Sequence, residues 1–158
     1  MKGDATVIKH LNTVLKNELT AINQYFLHSR MLKDWGVSKL AAKEMEESID
    51  EMKHADSLIE RILFLEGMPS MQALGKLMIG ENVEEIIEGD LKIEHQAHGD
   101  LKDAIVYCES VRDFVSRDLF EDILSSEEEH IDFLETQIGL IAKMGINNYI
   151  QLQSAPAE

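Results

Sequence analysis

The sequence predicts an all-α fold: a four-helix bundle with a long crossover between helices 2 and 3 and a short fifth helix at the C-terminal end. Three observations carry this. Apolar residues recur at three- and four-residue spacing over four long stretches. Proline is confined to Pro69 and Pro156, and aromatic residues make up only 6% of the chain. Both features favour long helices over a sheet protein with many turns.

Asp4 is a suitable N-cap, and Val7, Ile8, Leu11, Leu15, Ile22, Tyr25 and Phe26 follow it as an apolar stripe. A first helix is therefore predicted over residues 4–35, with Gly36 as a left-handed stop and Trp35 as a packing anchor. Ser38 can cap a second helix over 38–66, ended by Gly67 and Pro69. One of its faces carries Ala41, Ser48, Glu51, Ala55, Leu58 and Ile62, and an adjacent one Met45, Ile49, Met52, Ile59 and Leu63. Two apolar faces on one helix predict a subunit interface besides the bundle interior.

The stretch from Gly67 to Glu81 is too long for a turn between antiparallel neighbours, which implies a crossover to a distant helix. Asn82 and Glu85 form a capping pair for a third helix over 82–110, with the stripe Val83, Ile87, Leu91, Glu94, Ala97, Leu101, Ile105 and Cys108. A break near Ser110–Asp113 opens a fourth helix over 113–145. Its stripe is Val115, Leu119, Ile123, Glu127, His130 or Ile131, Leu134, Ile138 and Ile141. A short helix over 146–153 and a loose tail over 154–158 complete a single domain, residues 1–158.

Net charge is −15, from 30 acidic and 15 basic residues, which argues against binding nucleic acid or an anionic membrane and makes cations the natural partners. Cys108 is the only cysteine, so an intrachain disulfide, a zinc ribbon and an iron–sulfur cluster are excluded; on an apolar stripe it reads as a buried, inert thiol. Met1–Lys2–Gly3–Asp4 leads into an amphipathic helix, not a signal-peptide core, and no run approaches a membrane span. A cytoplasmic protein is expected.

Each long helix carries one glutamate inside its apolar stripe: Glu18, Glu51, Glu94 and Glu127. His54 follows Glu51 by three residues and His130 follows Glu127 by three, one above the other on a helix face. With glutamate so abundant, about one Glu-x-x-His pair is expected by chance. Four misplaced glutamates and two histidines on converging stripes are not. Unpaired buried carboxylates each cost several kcal/mol or take up a proton, and no lysine or arginine occupies the inner stripes. Four negative charges are balanced by two divalent cations. Mixed carboxylate and imidazole ligation suits iron or manganese better than structural zinc. The set matches the di-metal carboxylate template of ferritin-like bundles: a Glu from each of two helices and Glu-x-x-His from each of the other two.

At this point the chain resembles the bacterioferritins, the haem-containing branch of the ferritin family, over nearly its whole length. The resemblance rests on Met1–Lys2–Gly3–Asp4, Ala21–Ile22–Asn23–Gln24–Tyr25–Phe26–Leu27–His28, the run Glu47 to Asp56, and Arg61–Ile62–Leu63–Phe64–Leu65–Glu66–Gly67. It continues through Val115–Ser116–Arg117–Asp118–Leu119, Glu127 to Asp132 and Asn148–Tyr149. It implies a 24-subunit homo-oligomeric shell built of dimers, which oxidises Fe²⁺ with O₂ or H₂O₂ at a di-iron centre and stores ferric mineral. Glu51 and Glu127 would bridge the irons, with Glu18 and His54 completing one site and Glu94 and His130 the other. Met52 would be the axial ligand of haem b, one methionine from each of two subunits. The haem would be non-covalent, since Cys-x-x-Cys-His is missing. A small [2Fe–2S] ferredoxin would supply electrons for iron release.

Some positions depart from relatives. Glu46 stands where many have histidine, so an inner iron site with Asp50 is in question; Leu58 replaces a tyrosine of some members and Phe133 a tryptophan. Tyr25 shares a face with Glu18 and is either a ligand partner, an electron donor or a satisfied core residue. His28, His95 and His98 are not assigned a paired carboxylate as ligands, and His10 reads as surface. A rubrerythrin-type oxidase or peroxidase would add a Cys-x-x-Cys domain, which one cysteine precludes. A haem-binding or structural assembly with an inactive site predicts no fast Fe²⁺ oxidation. A DNA-associated shell of this fold builds its metal site between subunits, unlike the in-helix set here.

Overall fold

The structure, a computed structural model, describes residues 1–156. Five helices and no strand are present among them: α1 (Ala5–Asp34), α2 (Ser38–Phe64), α3 (Val83–Ser110), α4 (Phe114–Met144) and α5 (Ile146–Gln153). The last two tail residues, 157 and 158, lie outside the described range. The helices pair as α1 with α2 and α3 with α4, α1 also packs on α3, and α5 folds back against α4 and α2.

The helix ends follow from local chemistry. The Asp4 carboxylate accepts from the N–H groups of Thr6 and Val7, and Asn82 and Asp113 do the same for Glu85 and Ser116. Glu85 returns its carboxylate to the Glu81 N–H, one residue before the cap. Gly36 and Gly145 take positive φ, 82° and 80°, as left-handed stops require. Two expectations need correction here. Ser38 is the first residue of α2 and not its cap: Val37 holds the cap position without a side-chain bond, because its carbonyl already accepts from Ala41. At the other end Glu66, not Gly67, adopts the left-handed conformation (φ 62°). Gly67 is needed for space, since a Cβ there would meet Ile8 Cγ2 at 2.8 Å.

The core is split into two apolar clusters. One end of the bundle holds Leu11, Leu15, Leu58, Ile62, Leu101 and Phe120, the other Leu32, Leu40, Ile86, Ile87, Leu134 and Tyr149. Each fully buried aliphatic or phenyl side chain contributes roughly 1.5–3 kcal/mol. Between the two clusters, at the same height on all four long helices, lie the stripe glutamates. Some stripe residues are not core: Phe26 is 51% exposed and Val115 62% exposed, while Phe120, one position off the predicted stripe, is fully buried. Trp35 is 41% exposed in the single chain and anchors no interior.

The crossover between α2 and α3 runs along α1 without regular structure, and side chains of α1 satisfy its backbone. Asn12 bonds Met68 O and the Ser70 N–H; Thr20 accepts from the Gly75 N–H (2.8 Å), Gln24 from Met78 (2.9 Å) and His28 Nε2 from Gly80 (3.0 Å). Residues 12, 20, 24 and 28 are multiples of four apart and form a ridge that winds along α1 with the crossover. Gly80 and Gly89 permit the close approach: a Cβ on the first would sit 2.3 Å from Ile86 N, on the second 2.5 Å from Met78 O.

Candidate metal centre

The bundle brings all six predicted ligands into one polar layer. Glu18, Glu51, Glu94 and Glu127 are each no more than 2% exposed, and His130 is 3% exposed. Two donor groups form, each with its ligand atoms within 4.8 Å of one another: Glu18, Glu51, His54 and Glu127, and Glu51, Glu94, Glu127 and His130. Glu51 and Glu127 belong to both.

His54 Nδ1 lies 3.5 Å from Glu51 Oε2, 3.6 Å from Glu127 Oε1 and 3.7 Å from Glu18 Oε2. These separations exceed hydrogen-bond length. Both Glu18 oxygens, Glu94 Oε2, Glu127 Oε1 and His54 Nδ1 are buried without a hydrogen-bond partner. So many unsatisfied acceptors around one point are what a cation, absent from the chain itself, would satisfy. The donor set, carboxylate oxygens with one imidazole nitrogen per half, fits hard to borderline divalent ions such as Fe²⁺.

Electrostatics point the same way. Burial, reinforced by the Glu127 carboxylate, pushes the Glu18 carboxyl up to about 8. Burial alone would depress His54, but the carboxylates of Glu127 and Glu18 outweigh it and hold the imidazole up at about 10. Protons are thus held where positive charge is wanted.

The other half is tied to α1. The Tyr25 hydroxyl donates to Glu94 Oε1, and His130 Nδ1 lies 3.1 Å from the same oxygen. The Tyr25 and His130 rings meet edge to face with centroids 4.9 Å apart. Burial raises the Tyr25 phenol well above its ordinary value, so it serves as a donor, not an anion.

Several residues here escaped the sequence reading. Glu47 reaches within 3.6 Å of His130 Nδ1 and is held by Lys43 at 2.9 Å; its position one turn before Glu51 was the available signal. His28, read as unpaired, contacts Asp90 at 2.8 Å across helices, and His98 contacts Glu128 at 2.8 Å. Both pairings join two different helices, which no spacing rule within one helix detects. His10 stacks on Tyr107 with centroids 5.3 Å apart. Glu46 and Asp50 lie beside Lys43 and Lys53 at 3.8 and 3.9 Å. Met52 lies off the centre, on the outer face of α2, and is 57% exposed. Cys108 is fully buried, and burial pushes its thiol up to about 11, as expected for an inert cysteine.

An antiparallel helical bundle with a long crossover and a shared pair of interior carboxylates defines the class of four-helix di-metal carboxylate proteins. The ferritin-like domain family matches residues 8–144. Bacterioferritin of Brucella melitensis is 52% identical over all 158 residues, covering 98% of its own length. Bacterioferritin of Rhodobacter capsulatus is 51% identical with the same coverage, and that of Mycolicibacterium paratuberculosis 48% identical over 94% of each chain. The chain belongs to the bacterioferritin family.

Proposed function

We propose that the protein is an iron-storing ferroxidase: it binds Fe²⁺ at the interior donor set, oxidises it to Fe³⁺ and passes it to a mineral. The observation that carries this is the pair of donor groups sharing Glu51 and Glu127. Fe²⁺ is the substrate. Glu18 and His54 hold one ion, Glu94 and His130 the other, and Glu51 and Glu127 reach both. Shared carboxylates keep two ions at about 3.5–4 Å, a spacing suited to a two-electron oxidant. Each Fe²⁺ loses one electron; H₂O₂ takes both with two protons to give two waters, or O₂ takes both with two protons to give H₂O₂. The protein's part is to remove the ions from water, neutralise them with four carboxylates, and release the protons held by Glu18 and His54 as they bind. Tyr25 keeps Glu94 oriented.

The residues of α2 also suit a haem. Met52, Ile49 and Leu63 are 57%, 46% and 56% exposed on one apolar face, leaving the Met52 thioether free for an axial bond. Paired with the same face of a second copy, it would hold haem b non-covalently between two subunits. Bound there, haem would supply one-electron transfer toward stored Fe³⁺. The single domain, residues 1–158, assembles in this reading into a 24-mer of dimers, located in the cytoplasm and served by a small [2Fe–2S] ferredoxin. No helix among the described residues is long and apolar enough to cross a membrane.

The decisive test is anaerobic loading of the apo-protein with Fe²⁺ followed by stopped-flow mixing with O₂ or H₂O₂. A fast ferric absorbance phase saturating near two Fe²⁺ per chain supports the reading; a slow, unsaturating rise refutes it.

A further inference from the structure

A second buried polar cluster lies one helical turn from the Glu94–His130 half of the centre. Asp90 precedes Glu94 by four residues on α3, Glu44 precedes Glu47 by three on α2, and His28 follows Tyr25 by three on α1. None of His28, Glu44 and Asp90 is more than 2% exposed, and their donor atoms lie within 4.8 Å of one another. Such a trio invites a cation, and the hydrogen bonds tell which kind.

The Gly80 N–H donates to His28 Nε2 at 3.0 Å. Nε2 therefore carries the lone pair and Nδ1 the proton, which it donates to Asp90 Oδ1 at 2.8 Å. A metal on Nδ1 would leave the ring without any proton, so His28 is not a ligand. Gln24 Nε2 donates to the same Oδ1 at 2.9 Å. Both N–H donors converge on Oδ1, so Asp90 acts here as an acceptor and its second oxygen is left over.

Two buried oxygens are left without a donor, Asp90 Oδ2 and Glu44 Oε2. The neighbouring donors are engaged elsewhere: Lys43 contacts Glu47 and Glu46, and the Tyr149 hydroxyl donates to Gln137. A proton on Glu44 directed at Asp90 gives the two carboxyls a hydrogen bond to each other, whereas two ionised carboxylates would face each other as buried like charges. Burial, followed by the Asp90 charge and its hydrogen bond, raises the Glu44 carboxyl well above its ordinary value.

We propose that Glu44 is a neutral carboxylic acid sharing one proton with Asp90, and that this acid pair positions the Tyr25–Glu94 contact at the metal centre. Gln24 and His28 flank Tyr25 on α1 and both grip Asp90, so Asp90 sets the register of α1 against α3. Glu94, one turn further along α3, then meets Tyr25. The proton on Glu44 keeps Asp90 from facing a second anion. Glu44 touches no iron; it is a positioning residue, and its role rests on the metal-centre reading above.

The test uses the full-length protein. Infrared spectra of the apo-protein at neutral pH should contain protonated-carboxyl absorption, sensitive to D₂O, from both Glu18 and Glu44. E44Q should lose the Glu44 part and keep that of Glu18; identical spectra would overturn the shared proton. Co²⁺ titration then reads positioning. E44M should weaken the second Co²⁺ per chain by about tenfold or more, the scale of losing an outer-shell partner. E44Q, whose amide N–H replaces the carboxyl O–H, should restore it. Wild-type binding of both Co²⁺ by E44M, or failure of E44Q to rescue, would overturn the positioning role. Should E44M not fold, H28Q removes one anchor of Asp90 and is read by the same criterion. If the wild type itself does not bind two Co²⁺, the metal-centre reading fails, while the infrared result still reports on the proton.

Discussion

Glu51 on α2 and Glu127 on α4 are common to both donor groups, and His54 Nδ1 lies 3.5 Å from the first and 3.6 Å from the second. Helices from opposite halves of the chain thus meet at one pair of carboxylates. Neither half of the centre is complete without that meeting.

Glu127→Ala should abolish the fast phase of Fe²⁺ oxidation. It removes a donor from both groups, so the loss should exceed the roughly 10–100-fold that removal of an outer-shell partner costs. Assembly should survive, because Glu127 belongs to neither apolar cluster and both remain intact. Stopped-flow oxidation with size-exclusion chromatography checks this; normal oxidation would exclude Glu127 as a bridge.

Met52→Leu should abolish haem binding and leave Fe²⁺ oxidation near the wild-type rate, since Met52 lies on the outer face of α2 and the donor set lies inside. Haem absorbance after reconstitution, measured beside the oxidation rate, tests the separation. Joint loss of both would contradict it.

Cation binding by the apo-protein should tighten as pH rises. Glu18 and His54 must lose protons to become ligands, and they hold them up to about 8 and about 10. The sign for stability is opposite. Both groups bind protons more tightly folded than unfolded, so their contribution to apo-protein stability is greatest at low pH. Glu18's part is lost as pH rises from 4.5 through about 8, and that of His54 as it rises from 6.5 through about 10. Thermal melts of the apo-protein between pH 6 and 10 should fall, and bound Co²⁺ should remove the trend. A flat apo profile would mean that neither group is shifted.

Gly80→Ala should destabilise the protein by about 1–3 kcal/mol or more, the cost of overpacking. The added Cβ would lie 2.3 Å from the Ile86 backbone nitrogen, which cannot move without disturbing the start of α3. The shift would also pull the Gly80 N–H from His28. Chemical denaturation compared with Gly99→Ala, where a Cβ meets nothing within 4 Å, isolates the effect.

Helix number, order and nearly every boundary were legible because they depend on local rules: capping oxygens, left-handed glycines and a 3.6-residue period. The exceptions are instructive. Ser38 looked like a cap because serine favours that position, yet the tight turn through Gly36 brings Val37 into it. Phe26 and Val115 looked like core because they are apolar and nearly in register, but each lies at the margin of its stripe.

The sequence by itself determined that four glutamates and two histidines would share an interior. Their spacing places each on a buried stripe, and a bundle has only one inside. Tertiary structure alone decided the partnerships: that Tyr25 serves Glu94, that Glu47 approaches His130, and that Gln24 and His28 hold Asp90 beside Glu44. Periodicity fixes the face on which a residue lies. The contact it makes depends on how far one helix slides along another, which only the packed bundle fixes.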